Sequence, residues 1–595
     1  MNITPELKFI EHDTVVIRFA GDSGDGMQIT GNQFTTTSAA MGNDVHTFPD
    51  FPAEIRAPAG TLPGVSGFQL SFSSKEVHTA GDQLNTLVAM NPAALKVNLI
   101  DLEEGGLLII NENSFNEKEF KKAHYETNPL ENGELENFRV FQFPITDLTL
   151  NAVKPFKLTH SHASKCKNMF ALGIIYWLYY RPIEPTINWL TKKFEQKENI
   201  RDANIAALKA GYNYALTIGL FTERYIVKKA KLKPGKYRQI TGNEAFALGC
   251  VVLTKQNQKT LLLSGYPITP ASAVLQHVSK YQSEHIRVFQ AEDEIAAMSA
   301  TVGAAYGGAL AMTVTSGPGF DLKSEALGLA VMTELPCVVI NVQRAGPSTG
   351  MPTKTEQADL LMAMYGRHGE CPVPILAPKS PSDCFDIIIQ AFQIAVKYMT
   401  PVIILSDGYL ATSAEPWLIP DANTIPKINS SENWIIPGTK DKEFRLGGLE
   451  KDIKTGHISY DPQNHQNMVN KRANKIELIK DFIAEQEIMG KSSGETLIIS
   501  WGGTYGSVFT AVELLQQDGH DIALIHLRNL NPFPKNLKNI LNNFNKILVA
   551  ELNMGQLCKL IRAEFLVDAK SISKVTGKPF LVNELCEMIL SQIKK

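Results

Sequence analysis

Short apolar runs alternate with helix-length segments along the whole chain, the patterning of α/β domains built on parallel sheets. The first set opens at "TVVIRFAG", continues into the helix-like "MQITGNQFTTTSAAMG" and the Pro-rich loop "TFPDFPAEIRAPAGTLPG", and ends in helices near Glu223. The second begins near Gly242 and ends near Trp417, with strand candidates "TLLLSG", "RVFQAED", "ALAMTVTSG", "CVVINVQ" and "PVIILSD". A polar stretch without clear periodicity, from about Asn429 to Lys475, reads as a long crossing connection. The third set runs from "TLIISWGG" through "DIALIHL" and "KILVAEL" to a C-terminal helix. The predicted fold is α/β, with three domains on mostly parallel, doubly wound sheets. They span 1–225, 242–425 and 491–595, joined by a basic linker at 226–241, which contains "KKAKLKPGK", and a connecting segment at 426–490.

Length supports several cores: at about 150 residues per domain, 595 residues give a soft prior of roughly four. A hydrophobic share of 44% and a charged share of 20% are those of ordinary globular chains. The formal net charge of −3 argues against a nucleic-acid partner. The most apolar stretch, "MFALGIIYWLYY" from Met169 to Tyr180, is shorter than the roughly 20 residues of a membrane helix. The start, "MNITPELKFIEHD", lacks the basic region and apolar core of a signal peptide. A soluble, cytoplasmic protein is expected. The seven cysteines (Cys166, Cys250, Cys337, Cys371, Cys384, Cys558 and Cys586) include no C-x-x-C pair. No zinc or iron–sulfur site built from this chain alone is therefore expected.

"FAGDSGDGMQ", Phe19 to Gln28, places a Gly-Asp-Gly step after a strand and before a helix, an arrangement that can receive an anion. Its glycines, Gly21, Gly24 and Gly26, are spaced G-x-x-G-x-G, so the dinucleotide fingerprint fails, and no Lys-Ser or Lys-Thr follows to make a P-loop. A thiamine diphosphate site of this type also needs a downstream Asn for magnesium, and none occurs between Asn43 and Asn85. Asp22 and Asp25 would repel a phosphate without a metal. A structural tight turn is preferred here to a ligand-binding loop.

Denser signals lie in the second set. "GYPITP", Gly265 to Pro270, follows a strand directly; its prolines fix the loop, and Thr269 presents a hydroxyl at the carboxyl end of the strand, where open α/β sheets bind ligands. A rigid strand-to-helix turn is the alternative. In "AEDEIAAMSATVGAAYGG", Ala296, Ala297, Ala300, Gly303 and Ala304 form a face of small residues with Glu294 at its start. A carboxyl held against tight apolar packing suits proton exchange near neutrality, whereas Glu292 and Asp293 read as helix N-terminal carboxylates. "TVTSGPGF" and "VQRAGPSTGMPTKTEQADL" end two further strands. The first brings Thr315, Ser316 and Gly317, and the second brings Arg344, a side chain suited to clamping a carboxylate. In the third set Arg528, Asn529, Glu551 and Asn553 fall at or near strand ends and suit either interface or ligand contact. His160 and His162 of "THSHAS" lack a third ligand and are dismissed as a metal site.

These motifs, in order and spacing, resemble the alpha subunit of 2-oxoacid:ferredoxin oxidoreductases, of the 2-oxoglutarate type with the gamma domain fused at the N-terminus. "YPITP", "AEDEIAA", "TSGPG" and "QRAGPSTGMPTKTEQADL" match its pyrimidine-binding domain, and "GLEKDIKTGHISYDPQNH" its connecting stretch. "HLRNLNPFP" and "VAELNMGQL" match its transketolase-C-like domain, and "FAGDSGDGMQ" with "FPDFPAEIRAP" its gamma domain. The resemblance implies oxidative decarboxylation of a 2-oxoacid, with coenzyme A taking the acyl group and ferredoxin the electrons. Thiamine diphosphate would be shared with a beta subunit, which would carry the diphosphate site, Mg²⁺ and an iron–sulfur cluster; no metal is assigned to this chain. Tyr266, Pro267, Ile268, Glu294, Thr315, Ser316 and Gly317 map to the cofactor side. Glu294, preferred to its rival Glu292, would be the catalytic carboxylate at the aminopyrimidine ring. Thr269, Arg344 and Thr353 map to the substrate side. A pyruvate or branched-chain oxoacid enzyme and a non-catalytic scaffold subunit are the alternatives.

Overall fold

The computed structural model describes residues 7–52, 57–219, 221–429, 431–440 and 447–594. Residues 53–56 of the Pro-rich "FPDFPAEIRAP", residues 1–6, and residues 430 and 441–446 of the connecting segment lie outside the described residues. The chain packs into two units, Met1–Gln239 with Ala414–Leu418, and Ile240–Ser413 with Ile419–Lys595.

The first unit holds a six-stranded sheet, in spatial order Asp44–Asp50, Val65–Ser73, Thr14–Asp22, Leu84–Ala89, Leu102–Asn111 and Arg139–Phe143. Val65–Ser73 runs antiparallel to both its neighbours, and the remaining pairs are parallel. Phe34, Phe68, Phe72 and Tyr176 are fully buried between this sheet and its helices. The apolar stretch at 169–180 forms most of the helix Lys167–Leu178, buried on nearly all sides. It packs backbone to backbone on the helix Glu198–Thr217: a Cβ on Gly173 would fall 2.3 Å from the Leu208 carbonyl, and one on Gly211 2.0 Å from the Phe170 carbonyl. Among the described residues no helix is long and apolar enough to cross a membrane.

Three expectations need correction here. The first set does not finish in helices: Glu223–Ile226 is a strand that pairs in parallel with Lys8–Glu11, burying Tyr225. Within the segment read as a linker, Tyr237–Thr241 is also a strand. Ala414–Leu418, inside the span expected to form the middle domain, packs with the first unit, where the Ala414 N–H donates to Thr47 Oγ1 at 2.8 Å.

The second unit contains a seven-stranded sheet ordered Ile286–Gln290, Leu261–Gly265, Leu310–Thr315, Cys337–Gln343, Val402–Asp407, Ile375–Leu376 and Asn529–Asn531. Only the last strand is antiparallel. A four-stranded parallel sheet follows, ordered Ile522–Leu527, Gly494–Trp501, Phe544–Glu551 and Ala569–Ser573. One apolar core joins the two: Val339, Ile403 and Leu405 belong to the same buried cluster as Leu497, Trp501, Ile525 and Val549.

The polar stretch read as an aperiodic connection contains an 18-residue helix, Pro462–Ile479. Asp461 caps it by accepting from the Asn464 N–H at 2.7 Å, and Pro462 takes the first turn, where no N–H is needed. Its buried face is narrow, with Met468, Ile476 and Ile479 the apolar members. Lys471 and Lys475 of this helix, with Lys451, converge on Glu334 at 3.3, 2.8 and 3.1 Å. Against the upward push of burial, Lys475 and Lys451 hold the Glu334 carboxyl down to about 2.

Gly211→Ala forces a methyl group into the Phe170 carbonyl and is expected to cost about 1–3 kcal/mol or more by overpacking. Urea unfolding of the variant checks this; an unchanged midpoint would contradict the close helix contact.

Candidate active site

Strand, loop and helix meet at the carboxyl edge of the seven-stranded sheet. The first loop leaves Leu261–Gly265 at Tyr266, which is buried, and turns through exposed Pro267 and half-buried Ile268 to exposed Thr269. Ser272 locks this turn: its Oγ accepts from the Ile268 N–H at 2.6 Å and donates to the Ile268 carbonyl at 2.8 Å. The next loop is tied to the same strand end by the Ala291 N–H, which donates to the Gly265 carbonyl at 2.8 Å. Asp293 then caps the helix Glu294–Tyr306 by accepting from the Ala296 N–H at 2.8 Å. That cap makes Glu294 the first helical residue and leaves Glu292 exposed.

The half-buried Glu294 side chain lies beside the Tyr266 hydroxyl, and a Cβ on Gly319 would meet both. The same hydroxyl lies 2.8 Å from Thr315 Oγ1, at the end of Leu310–Thr315. Burial first, and the Glu294 carboxylate in addition, push the Tyr266 phenol far above its ordinary value, so it serves as a neutral donor. Tyr266 and Thr315 thus form a hydroxyl relay in which either oxygen can donate. Gly319 approaches this relay so closely that a Cβ there would lie 1.9 Å from Tyr266 Oη and 2.6 Å from Thr315 Oγ1.

Arg344 follows Cys337–Gln343 and is itself buried, with 7% of its surface exposed. One of its terminal nitrogens donates to the Thr269 carbonyl at 2.8 Å. Its aliphatic stem faces Gly317, whose φ of 48° lies in the region that favours glycine. Burial lowers the Arg344 pKa, while Tyr266 and Asp359 act in the opposite sense. Behind it, burial raises the Asp359 carboxyl to about 6, against the Asn341 amide that donates to it at 2.8 Å. The Arg344 Nε and Ser316 Oγ are buried without a hydrogen-bond partner. Thr353 is half-buried in the turn that closes the loop, where the Lys354 N–H donates to the Met351 carbonyl at 3.0 Å.

The structure thus brings together Tyr266, Glu294, Thr315, Gly317, Thr269 and Arg344. Sequence reasoning missed three residues that support them: Gly319, Asp359 and Lys323. Lys323 is fully buried; its ammonium donates to the Glu294 carbonyl at 2.9 Å and to Thr313 Oγ1 at 3.3 Å. The signal present in the sequence was "GPGFDLKSE", a lone lysine just beyond the Gly-Pro-Gly turn.

Residues outside this cluster have internal partners. Asp22 accepts from the Gly60 N–H at 2.9 Å, and Asp25 pairs with Lys167 at 2.8 Å. In the second unit Arg528 pairs with Asp383 at 2.6 Å and Asn529 accepts from Gln390 at 3.1 Å. Glu551 accepts from the Leu557 and Cys558 N–H groups at 2.8 and 3.0 Å, and Asn553 donates to the Gln357 carbonyl at 2.8 Å. His160 and His162 are exposed, and among the described residues no group of three or more His, Cys, Asp or Glu is placed to hold a metal ion.

Three family models match along the chain. Residues 258–476, which contain the whole cluster, match the model described as pyruvate flavodoxin/ferredoxin oxidoreductase, thiamine diphosphate-binding. Residues 16–214 match pyruvate ferredoxin/flavodoxin oxidoreductase, and 494–584 match pyruvate:ferredoxin oxidoreductase core domain II. The 2-oxoglutarate oxidoreductase subunit KorA of Mycobacterium tuberculosis is 49% identical over 97% of this chain and 91% of its own length. The chain belongs to the alpha-subunit family of 2-oxoacid:ferredoxin oxidoreductases. A more distant member, the 2-oxoacid:ferredoxin oxidoreductase subunit alpha of Sulfolobus sp, is 29% identical over 96% of both chains. Among solved structures, the 2-oxoglutarate:ferredoxin oxidoreductase from Magnetococcus marinus, with 2-oxoglutarate, coenzyme A and succinyl-CoA bound, superposes with a TM-score of 0.85. Its identity is 30%, covering 98% of this chain and 100% of that one.

For this oxidoreductase subunit, Gly319→Ala displaces the Tyr266–Thr315 pair. It is expected to lower turnover of the assembled enzyme by about 10²-fold, the scale of an ångström-sized misplacement at a reacting centre. Rates of the reconstituted complex check this, with circular dichroism confirming the retained fold.

Proposed function

We propose that this chain is the alpha subunit of a coenzyme A-dependent 2-oxoglutarate:ferredoxin oxidoreductase. The enzyme converts 2-oxoglutarate and coenzyme A to succinyl-CoA and carbon dioxide and passes the two electrons released to ferredoxin. The observation that carries the reading is the convergence of Glu294, Tyr266 and Arg344 at one sheet edge, in a chain related over nearly its full length to a 2-oxoglutarate oxidoreductase subunit.

The residues at that edge fit half of a thiamine diphosphate site. Glu294 offers a carboxylate at the rim, Ser316 Oγ is a buried polar atom without a partner, and Gly319 leaves the space that a Cβ would fill. When bound, thiamine diphosphate supplies an electron sink for loss of carbon dioxide. Glu294 would hold a proton against the aminopyrimidine ring nitrogen, with the Tyr266 hydroxyl beside its side chain. Thr315, Ser316 and Gly317, with Pro267 and Ile268, would line the ring. Arg344, already desolvated and fixed through Thr269, would bind a carboxylate of the oxoacid. The hydroxyls of Thr269 and Thr353 would orient its keto group. The diphosphate, Mg²⁺ and an iron–sulfur cluster are assigned to a beta subunit, which closes the other side of the site. Seven free thiols, five of them buried, support a reducing, cytoplasmic location.

The test is the reconstituted complex assayed with 2-oxoglutarate, pyruvate and a branched-chain oxoacid. Preference for 2-oxoglutarate is expected, and equal rates on all three would overturn it. Arg344→Ala is expected to raise the KM for 2-oxoglutarate roughly 10–100-fold, the scale of a hydrogen bond to a charged group, with thiamine diphosphate affinity unchanged.

A further inference from the structure

Lys323 stands between the short helix Pro318–Asp321 and the helix Ser324–Met332, and none of its surface is exposed. A buried ammonium is costly, and an unbranched apolar side chain would fill the same space, so packing does not require the charge. All that it meets belongs to one cluster. Two N–H bonds go to the Glu294 carbonyl and to Thr313 Oγ1, and the ammonium lies 5.2 Å from the centre of the Tyr266 ring. The charges that face it are those of Glu294 and Asp293. One ammonium therefore holds the backbone of Glu294 and also the ring of Tyr266, whose hydroxyl lies beside the Glu294 side chain.

We infer that Lys323 is a positioning residue, which fixes the start of the helix and with it Glu294 for contact with the aminopyrimidine of thiamine diphosphate. The inference rests on the reading of Glu294 given above. Neither the strand-end loops nor the helix cap supplies this: Asp293 sets which residue begins the helix, and Tyr266 lies beside the Glu294 side chain alone. Burial brings the Lys323 ammonium down to about 8, opposed by Glu294 and Asp293, so the cation is present at neutral pH.

The test uses the assembled enzyme, alpha with its beta partner, carrying Lys323→Met, Glu294→Gln or both. Thiamine diphosphate is titrated into the cofactor-stripped complex, and the pH profile of kcat/KM is recorded. Lys323→Met is expected to weaken cofactor binding about tenfold or more. It should also lower kcat/KM most at neutral pH and least above about pH 8, where the wild-type Lys323 ammonium has lost its proton. In the Glu294→Gln background the same substitution is expected to change affinity by less than about threefold, the mark of two residues acting as one unit. Unchanged affinity and profile in Lys323→Met, or effects that multiply fully in the double variant, would overturn the inference. Should Lys323→Met fail to assemble, Thr313→Val removes a single acceptor and is expected to shift both readouts in the same direction; no shift overturns the inference. Unaltered cofactor affinity and turnover in Glu294→Gln alone would overturn the reading of Glu294 itself.

Discussion

Parallel pairing in register is the constraint on which the site depends. Ser264 lies opposite Thr313, Thr315 opposite Asn341, and Gln343 opposite Asp407, so four strands end within three residues of one another at one edge. Their loops leave in short steps along that edge, and Tyr266, Thr315 and Arg344 arrive within reach of one another although distant in sequence. A one-residue slip in any strand would turn these side chains to the opposite face. The apolar filling of the strands, from Leu261 to Val402, is thus also what aims the polar groups at their ends.

Most of this was legible in the sequence because fully buried parallel strands read as uninterrupted apolar runs, and the loops that end them are dense in Gly, Pro, Ser and Thr. What stayed hidden depended on tertiary burial. The helix Pro462–Ile479 buries so few apolar residues that its period is lost among Asn, Gln and Lys. Glu223–Ile226 is too short to announce itself beside a long helix. The choice between Glu292 and Glu294 turns on which residue caps the helix, and "AEDE" offers three carboxyls for that role. Lys323 could not be singled out: a lysine on a helix-like stretch ordinarily points to water, and only the fold encloses it.

Arg528, Asn529, Glu551 and Asn553 show how strand-end polar residues divide between roles. Their partners, Asp383, Gln390 and Gln357 among them, belong to the larger sheet or its helices, and Glu551 caps the helix Gln556–Phe565. The ties from Arg528 to Asp383 and from Asn553 to Gln357, with Asp407 accepting from the Gly503 N–H at 3.0 Å, join the two sheets of the second unit around their common core. Some strand ends keep space beside glycines, as at Gly317 and Gly319. Others carry structural ties where side chains fill it.

The five residues Ala414–Leu418 belong to the first unit although the chain on both sides of them belongs to the second. The polypeptide therefore passes between units more often than a simple fusion of two genes requires. A fission of the gene near codon 240 would divide the first unit between two polypeptides, since the fragment carrying the second unit would still hold this strand of the first.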